Sequence, residues 1–225
     1  KYQRSDRLSF ELGGEGALNK LDSATAYTEN GVALDLPAAN VGIEEKRGEV
    51  FVKGTWKPWA EWTLEAGLRY ETTDTTITDR TVDPADQVND NDYDFLLPSA
   101  SLRYNLNDRD RLIVSAARTV RRPNFDSLSP ALLEEEVGDS DFIGNPDLEP
   151  ETAFTYSVGT VFEMGPFRAT LDYWNFDFDK PMTTEAPVDL LNVMFPGGSA
   201  TGNCGNAAYA AVQNRFTFAG ACSRA

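Results

Sequence analysis

Trp62-Thr63-Leu64-Glu65-Ala66-Gly67-Leu68-Arg69-Tyr70-Glu71 decides the fold. Every second residue from Trp62 to Tyr70 is apolar and the residues between are polar, charged or glycine. That period of two belongs to a strand with one face in an apolar medium and the other in a polar one. The preceding run repeats it, with Val50, Val52, Gly54 and Trp56 opposite Glu49, Phe51, Lys53 and Thr55. Downstream, Leu96, Pro98, Ala100, Leu102 and Tyr104 alternate with Ser99, Ser101 and Arg103, and Phe154, Tyr156, Val158 and Phe162 alternate with Thr155, Ser157 and Gly159. Weaker alternation covers residues 5–13, 111–119 and 167–178. Seven strands of about 9 to 12 residues result, the length a tilted strand needs to cross a bilayer, whereas soluble strands more often run about 5 or 6.

Aromatic residues collect at the strand ends: Trp56, Trp59, Trp62, Tyr70, Tyr104, Phe162, Phe167 and Tyr173. An interfacial girdle would put them there. Three connections are tight, at Pro58-Trp59-Ala60, Asn105-Leu106-Asn107-Asp108 and Met164-Gly165-Pro166, and they alternate with long ones at residues 14–45, 72–94, 120–151 and 179 onward. Compact soluble domains rarely hold several structureless connections of that length. An outer-membrane barrel does, with short periplasmic turns on one rim and long extracellular loops on the other. The expected fold is therefore all-β, with antiparallel up-and-down strands forming an arc of a transmembrane β-barrel. Seven strands cannot close a barrel of even strand count, so residues 1–225 are expected to be part of a larger one. The competing architecture is a soluble or surface-anchored β-sandwich that binds ligands through its loops.

Composition narrows the chemistry. The chain has 225 residues, 20 Lys and Arg against 36 Asp and Glu, a net charge of −16 and no histidine. Without histidine there is no Ser-His-Asp or Cys-His pair and no imidazole zinc site, and a strongly acidic domain repels nucleic acid. No apolar run approaches the length of a membrane helix. The acidity is local: residues 14–45 carry −5, residues 72–94 carry −6 and residues 120–150 carry −6. A glycosidase needs only two carboxylates, but nothing in the sequence selects a pair.

Two stretches carry a family resemblance. Gly144-Asn145-Pro146-Asp147-Leu148-Glu149-Pro150-Glu151-Thr152, leading into the strand from Phe154, resembles the GNPxLxPE motif of TonB-dependent outer-membrane receptors. Upstream, Ala117-Arg118-Thr119-Val120-Arg121-Arg122-Pro123-Asn124-Phe125 is similar to the RPxF-type segment of the same family, with Arg122, Pro123 and Phe125 in the matching places. The resemblance implies a 22-stranded barrel filled by an N-terminal plug, placed in the Gram-negative outer membrane with its acidic loops extracellular. Such a receptor imports a scarce nutrient of the siderophore, cobalamin or oligosaccharide class, powered by the TonB complex. Plug motifs, a TonB box and a terminal strand ending in an aromatic residue are not found, so this chain is expected to be a middle-to-late part of the barrel, bordered by lipid. The motif also has a physical reading: Pro146 and Pro150 withdraw two backbone donors, so the chain must turn before Glu151 re-enters a strand.

Remaining candidates follow from residue type. Cys204 and Cys222 in an exported protein are expected to form a disulfide closing the last long connection. Asp83, Asp86, Asp90, Asp92 and Asp94, interleaved with Asn89 and Asn91, are weak candidates for a calcium loop, and Glu134, Glu135, Glu136, Asp139 and Asp141 form a second acidic cluster. No resident cofactor and no enzymatic activity are expected. Glu49, Lys53, Glu65, Arg69, Glu71, Arg103 and Arg168 should line the inner wall. Arg121 and Arg122 could meet an anionic ligand or neutralise Glu134 to Glu136.

Overall fold

The computed structural model describes residues 1–29, 31–34, 38–81, 88–133, 142–184, 186–216 and 220–223. Among the described residues twelve strands occur in chain order: β1 (Tyr2–Ser5), β2 (Leu8–Ala24), β3 (Tyr27–Glu29), β4 (Val32–Leu34), β5 (Asn40–Trp56), β6 (Trp62–Asp79), β7 (Val88–Asn105), β8 (Arg111–Arg121), β9 (Leu132–Leu133), β10 (Phe142–Ile143), β11 (Glu151–Met164) and β12 (Phe167–Asp179). Eight of them form one open antiparallel sheet in the order β1-β2-β5-β6-β7-β8-β11-β12. The small pairs β3-β4 and β9-β10 lie within two of the long connections. No helix among the described residues is long and apolar enough to cross a membrane.

Cross-strand register verifies the facing deduced from alternation, because residues directly opposite in an antiparallel pair point to the same side. Val50 faces Tyr70, Val52 faces Leu68 and Trp56 faces Leu64. Across the next seam Leu68 faces Pro98, Ala66 faces Ala100 and Trp62 faces Tyr104. These rows make one continuous apolar face. Glu49, Lys53, Glu65, Arg69, Glu71, Arg103 and Arg168 occupy the opposite face, as expected.

The apolar band is stepped. One row of opposed residues runs Gly67, Ser99, Ala117, Thr155, Phe176 across β6, β7, β8, β11 and β12. On β6 this row passes below Tyr70, the top of the apolar run, yet on β12 it passes beyond Tyr173, where that run has ended. Strands tilted in a barrel wall must be staggered in this way for the band to stay level with a membrane. Above the run on β12 the sides exchange character: Trp174, Phe176 and Phe178 stand on the inner face opposite Ser157, Thr155 and Ala153. Their rings form a ladder with centroid spacings of 5.4 and 5.9 Å.

The structure corrects the extent of the long connections. Much of residues 14–45 and 72–94 is strand, because β2 runs on to Ala24, β5 starts at Asn40, β6 runs on to Asp79 and β7 starts at Val88. An eighth sheet strand, β1, precedes the first expected one. The alternation fails in the β6 and β7 extensions because polar residues stand on both faces of the strand. What remains is backbone preference, supplied on β6 by Thr72, Thr73, Thr75, Thr76, Ile77 and Thr78, whose β-branched side chains favour strand.

The chain divides into two compact units, Lys1–Met182 and Thr183–Ala225. The second is not the plain loop expected from residue 179 onward. It carries a helix at Pro187–Met194, whose Pro sits in the first turn where its missing N–H is harmless, and a single turn at Ala210–Gln213. Met194 and Phe195 are fully buried within it, and Cys204 is bonded to Cys222.

Facing can be measured. Leu64→Arg places a charge on the apolar face and should destabilise the protein in lipid bilayers by about 2–4 kcal/mol, measured by reversible denaturant unfolding. Glu65→Arg, one residue along on the polar face, should cost far less, and equal losses would contradict the facing.

Candidate functional site

The feature that gathers most of the singled-out residues is a lobe built from residues 122–133 and 142–150, folded against the inner face of the sheet. It begins with Pro123, which prevents β8 from continuing in the ladder. Asn124 then caps a single helical turn, α1 (Phe125–Leu128), its side chain accepting from the Ser127 N–H at 2.7 Å. On the return, the Gly144 N–H donates to the Ser129 carbonyl (2.9 Å) and the Asn145 N–H to the Ser127 carbonyl (2.8 Å), so the two motif segments are stitched together. The turn at Asn145–Leu148 closes with the Leu148 N–H on the Asn145 carbonyl (3.1 Å) and the Asp147 N–H on the Asn145 side chain (3.0 Å). Glu151 then enters β11 opposite Arg121.

Gly144 is required by space. A Cβ there would lie 2.6 Å from three carbonyl oxygens, those of Asp126, Ser127 and Ser129. The lobe's apolar side completes the core: Leu128 and Ala131 pack with Ala38, Val41, Ile43 and Ile77, flanked by Leu21, Phe125 and Leu148.

Polar ties fix the lobe to the wall. Arg122 pairs through Nη1 with Oε1 of Glu71, whose side chain is only 2% exposed, and Arg69 reaches the same carboxylate at 4.0 Å and Glu49 at 3.6 Å. Burial lowers the Arg122 pKa, as do Arg47 and Arg69, against the pull of Glu45 and Glu49. From β7, Asn89 donates to the Asp147 carboxylate (2.8 Å) and Asn91 to the Pro146 carbonyl (2.7 Å). Beyond β12, Lys180 pairs with Glu149, which raises the Lys180 pKa, and the Met182 N–H donates to Glu151 (3.0 Å). The space left beneath the lobe is about 10 Å³, room for a single water. This geometry holds backbone and charge in place.

Arg122 thus meets Glu71 on the wall; Glu134, Glu135, Glu136, Asp139 and Asp141 lie outside the described residues, as do Asp83 and Asp86. Asp90, Asp92 and Asp94 belong to β7 and not to a loop, facing outward while Asn89 and Asn91 face in. Asp90 accepts from Thr76 and Asp94 from Tyr70, each at 2.8 Å. Among the described residues no group of three His, Cys, Asp or Glu side chains could hold a metal ion. Sequence reasoning missed the anchoring roles of Glu71, Asn89 and Asn91. The only available cue was an acid at the end of the β6 alternation, which names no partner.

Comparison with known proteins completes the site's context. A family model described as TonB dependent receptor-like, beta-barrel matches residues 2–201. No curated protein matches the sequence. Among solved structures, the copper transporter OprC superposes with a TM-score of 0.57 at 15% identity, over 77% of this chain and 28% of OprC. The alcaligin outer-membrane receptor FauA from Bordetella pertussis gives a TM-score of 0.46 at 14% identity, over 76% of this chain and 30% of FauA. The siderophore receptor PirA from Pseudomonas aeruginosa gives 0.38 at 13% identity, over 78% of this chain and 44% of PirA. The chain thus spans less than a third of OprC, whose shared architecture is the fold alone. With an open, staggered antiparallel sheet, an apolar outer face and a motif lobe seated on the inner one, the chain belongs to the TonB-dependent receptor β-barrel family.

Proposed function

We propose that this chain is wall of an outer-membrane active transporter that imports a scarce nutrient of the siderophore, cobalamin or oligosaccharide class. The observation that carries the reading is the two-sided sheet: apolar rows toward lipid, and a charged inner face suited to a water-filled or plugged lumen. In this reading the short turns at residues 57–61, 106–110 and 165–166 are periplasmic, and the long connections are extracellular. The acidic extensions of β5, β6 and β7 then form a negative outer rim. The inner wall borders the receptor's own plug domain, and the TonB complex supplies energy through it. Arg122 and the GNPDLEPE segment serve the wall, with Arg122 committed to Glu71 and the prolines ending one strand pairing and starting the next. Family membership favours a transporter over an enzyme.

The test uses the receptor that carries this segment, expressed in a Gram-negative host. It should fractionate with the outer membrane and add uptake of one member of a panel of ferric siderophores, cobalamin and maltooligosaccharides, only when TonB is present. Absence from the membrane fraction would overturn the barrel reading, and uptake without TonB would overturn active import.

A further inference from the structure

The apolar outer face carries a cation that is left without a counter-charge. Arg118 of β8 stands opposite Phe154 of β11, two residues beyond Ala116, which belongs to the outward row Ala66, Ala100, Ala116. Residues two apart on a strand share a face, so the guanidinium is on the lipid side. It is exposed, and Ala116, Val120 and Phe154 around it on that face are apolar. Among the described residues it has no ion pair. Lys20 and Lys46, which also face outward, differ: both are paired with Glu44. The carboxylate of the Arg118 row, Asp177, lies two strands away beyond Phe154, about 10 Å at 4.8 Å per strand.

Depth and shape indicate what meets it. Tyr70 on β6, Tyr156 on β11 and Tyr173 on β12 mark the upper edge of the stepped band, and tyrosines of that kind sit at the membrane interface. Arg118 is one pair above Ala116–Tyr156, at headgroup depth on the long-connection side. There the seam between β7 and β8 opens. Its last pair is Ser99 with Ala117, and beyond it β8 runs on to Arg121 held by β11 alone. The backbone groups of β8 that turn toward β7 above Ala117 therefore have no strand partner, and the guanidinium stands beside them. Beneath this notch Ala100 and Ala116 keep the apolar face shallow, which leaves space for an acyl chain. The acidic outer rim begins further out: Asp94 is four residues from Pro98 on β7, roughly 13 Å along the strand. We propose that Arg118 and the open seam bind the phosphate of a lipid headgroup in the outer leaflet. Phosphate oxygens match the guanidinium fork and accept from backbone N–H groups as well, while the attached chains lie on the apolar rows below. The inference rests on the barrel reading in placing this face in lipid, and it adds a lipid site to the import function.

The test places a photocrosslinker at Ala100, beneath the notch, in the intact receptor that carries this segment. The purified receptor is titrated in detergent with bisphosphorylated lipid A, and the adduct is read by mass spectrometry. Dephosphorylated lipid A and inorganic phosphate are the comparisons. Half-maximal adduct should need at least tenfold more of the dephosphorylated lipid. Arg118→Gln and Arg118→Leu should each shift the phosphorylated lipid by at least tenfold, whereas Arg118→Lys, which keeps the charge, should shift it less than threefold. Heat-dependent gel mobility verifies that each variant is folded, and the leucine variant suits the apolar face should glutamine not be tolerated there. Lys20→Gln/Lys46→Gln removes two outward cations already paired with Glu44 and should leave the titration unchanged. Equal titrations of parent and both neutral variants, equal adduct with the dephosphorylated lipid, or full competition by inorganic phosphate at the lipid's own concentration would each overturn the proposal. Fractionation and TonB-dependent uptake of the parent receptor are read separately. A receptor that reaches the outer membrane and imports, yet gives no Arg118-dependent adduct, overturns the lipid site alone.

Discussion

Arg122→Met should destabilise the wall by about 3–5 kcal/mol, measured by denaturant unfolding in detergent, because it strands a carboxylate that water barely reaches. Glu71 has 2% of its side chain exposed, and its other cation, Arg69, stands at the 4.0 Å limit of an ion pair. The double change Glu71→Leu/Arg122→Met should recover most of the loss, since removing both charges also removes the desolvation they suffer. Lys20→Met is the surface comparison. Its partner Glu44 is a third exposed and Lys20 more than half, and such pairs contribute about 1 kcal/mol or less. If Arg122→Met were as mild as Lys20→Met, the lobe would not be held by this pair.

Gly144→Ala should cost about 3 kcal/mol. The new methyl would stand 2.6 Å from three backbone carbonyls, and backbone cannot swing aside as a flexible side chain can. The Ser129 and Ser127 carbonyls are also the acceptors that tie the returning chain to α1, so relief of the clash opens those hydrogen bonds. Amide exchange should show it directly, with protection lost at Gly144 and Asn145 while Val158 and Thr160 in mid-β11 keep theirs. Gly165→Ala is the contrast. That glycine has φ of +60° and no atom near its Cβ position, so only the left-handed backbone penalty of about 1–2 kcal/mol applies. Equal losses at the two sites would remove the close-packing explanation for Gly144.

How far the fold could be read from sequence depends on where each strand meets lipid. Val50 to Trp56, Trp62 to Tyr70, Leu96 to Tyr104 and Phe154 to Phe162 were legible because lipid on one side and a polar interior on the other impose a period of two. Thr72 to Asp79 and Val88 to Asp94 were not, since polar residues on both faces erase the period while leaving the strand intact. The β12 alternation was faint for a different reason: it exchanges sides partway, with Tyr173 outward and Trp174, Phe176 and Phe178 inward. The cysteine pair was legible because two cysteines in an exported chain allow one internal bond. The motif's turn was legible from Pro146 and Pro150, but its seat was not, because Glu71 precedes Arg122 by more than a quarter of the unit's length and only the folded sheet brings them together. The short helices of the second unit carry too few turns to show a helical period.

The inward turn of Trp174 also makes the wall optically two-sided. Of the four tryptophans, Trp56 and Trp62 lie on the lipid face and Trp59 in the short turn between them, which leaves Trp174 as the single indole on the inner face. Brominated acyl chains in the bilayer therefore quench one population of this chain's emission and iodide in the water of the lumen quenches the other. On this sheet Trp174 is a built-in fluorophore for the inner face, without any label attached.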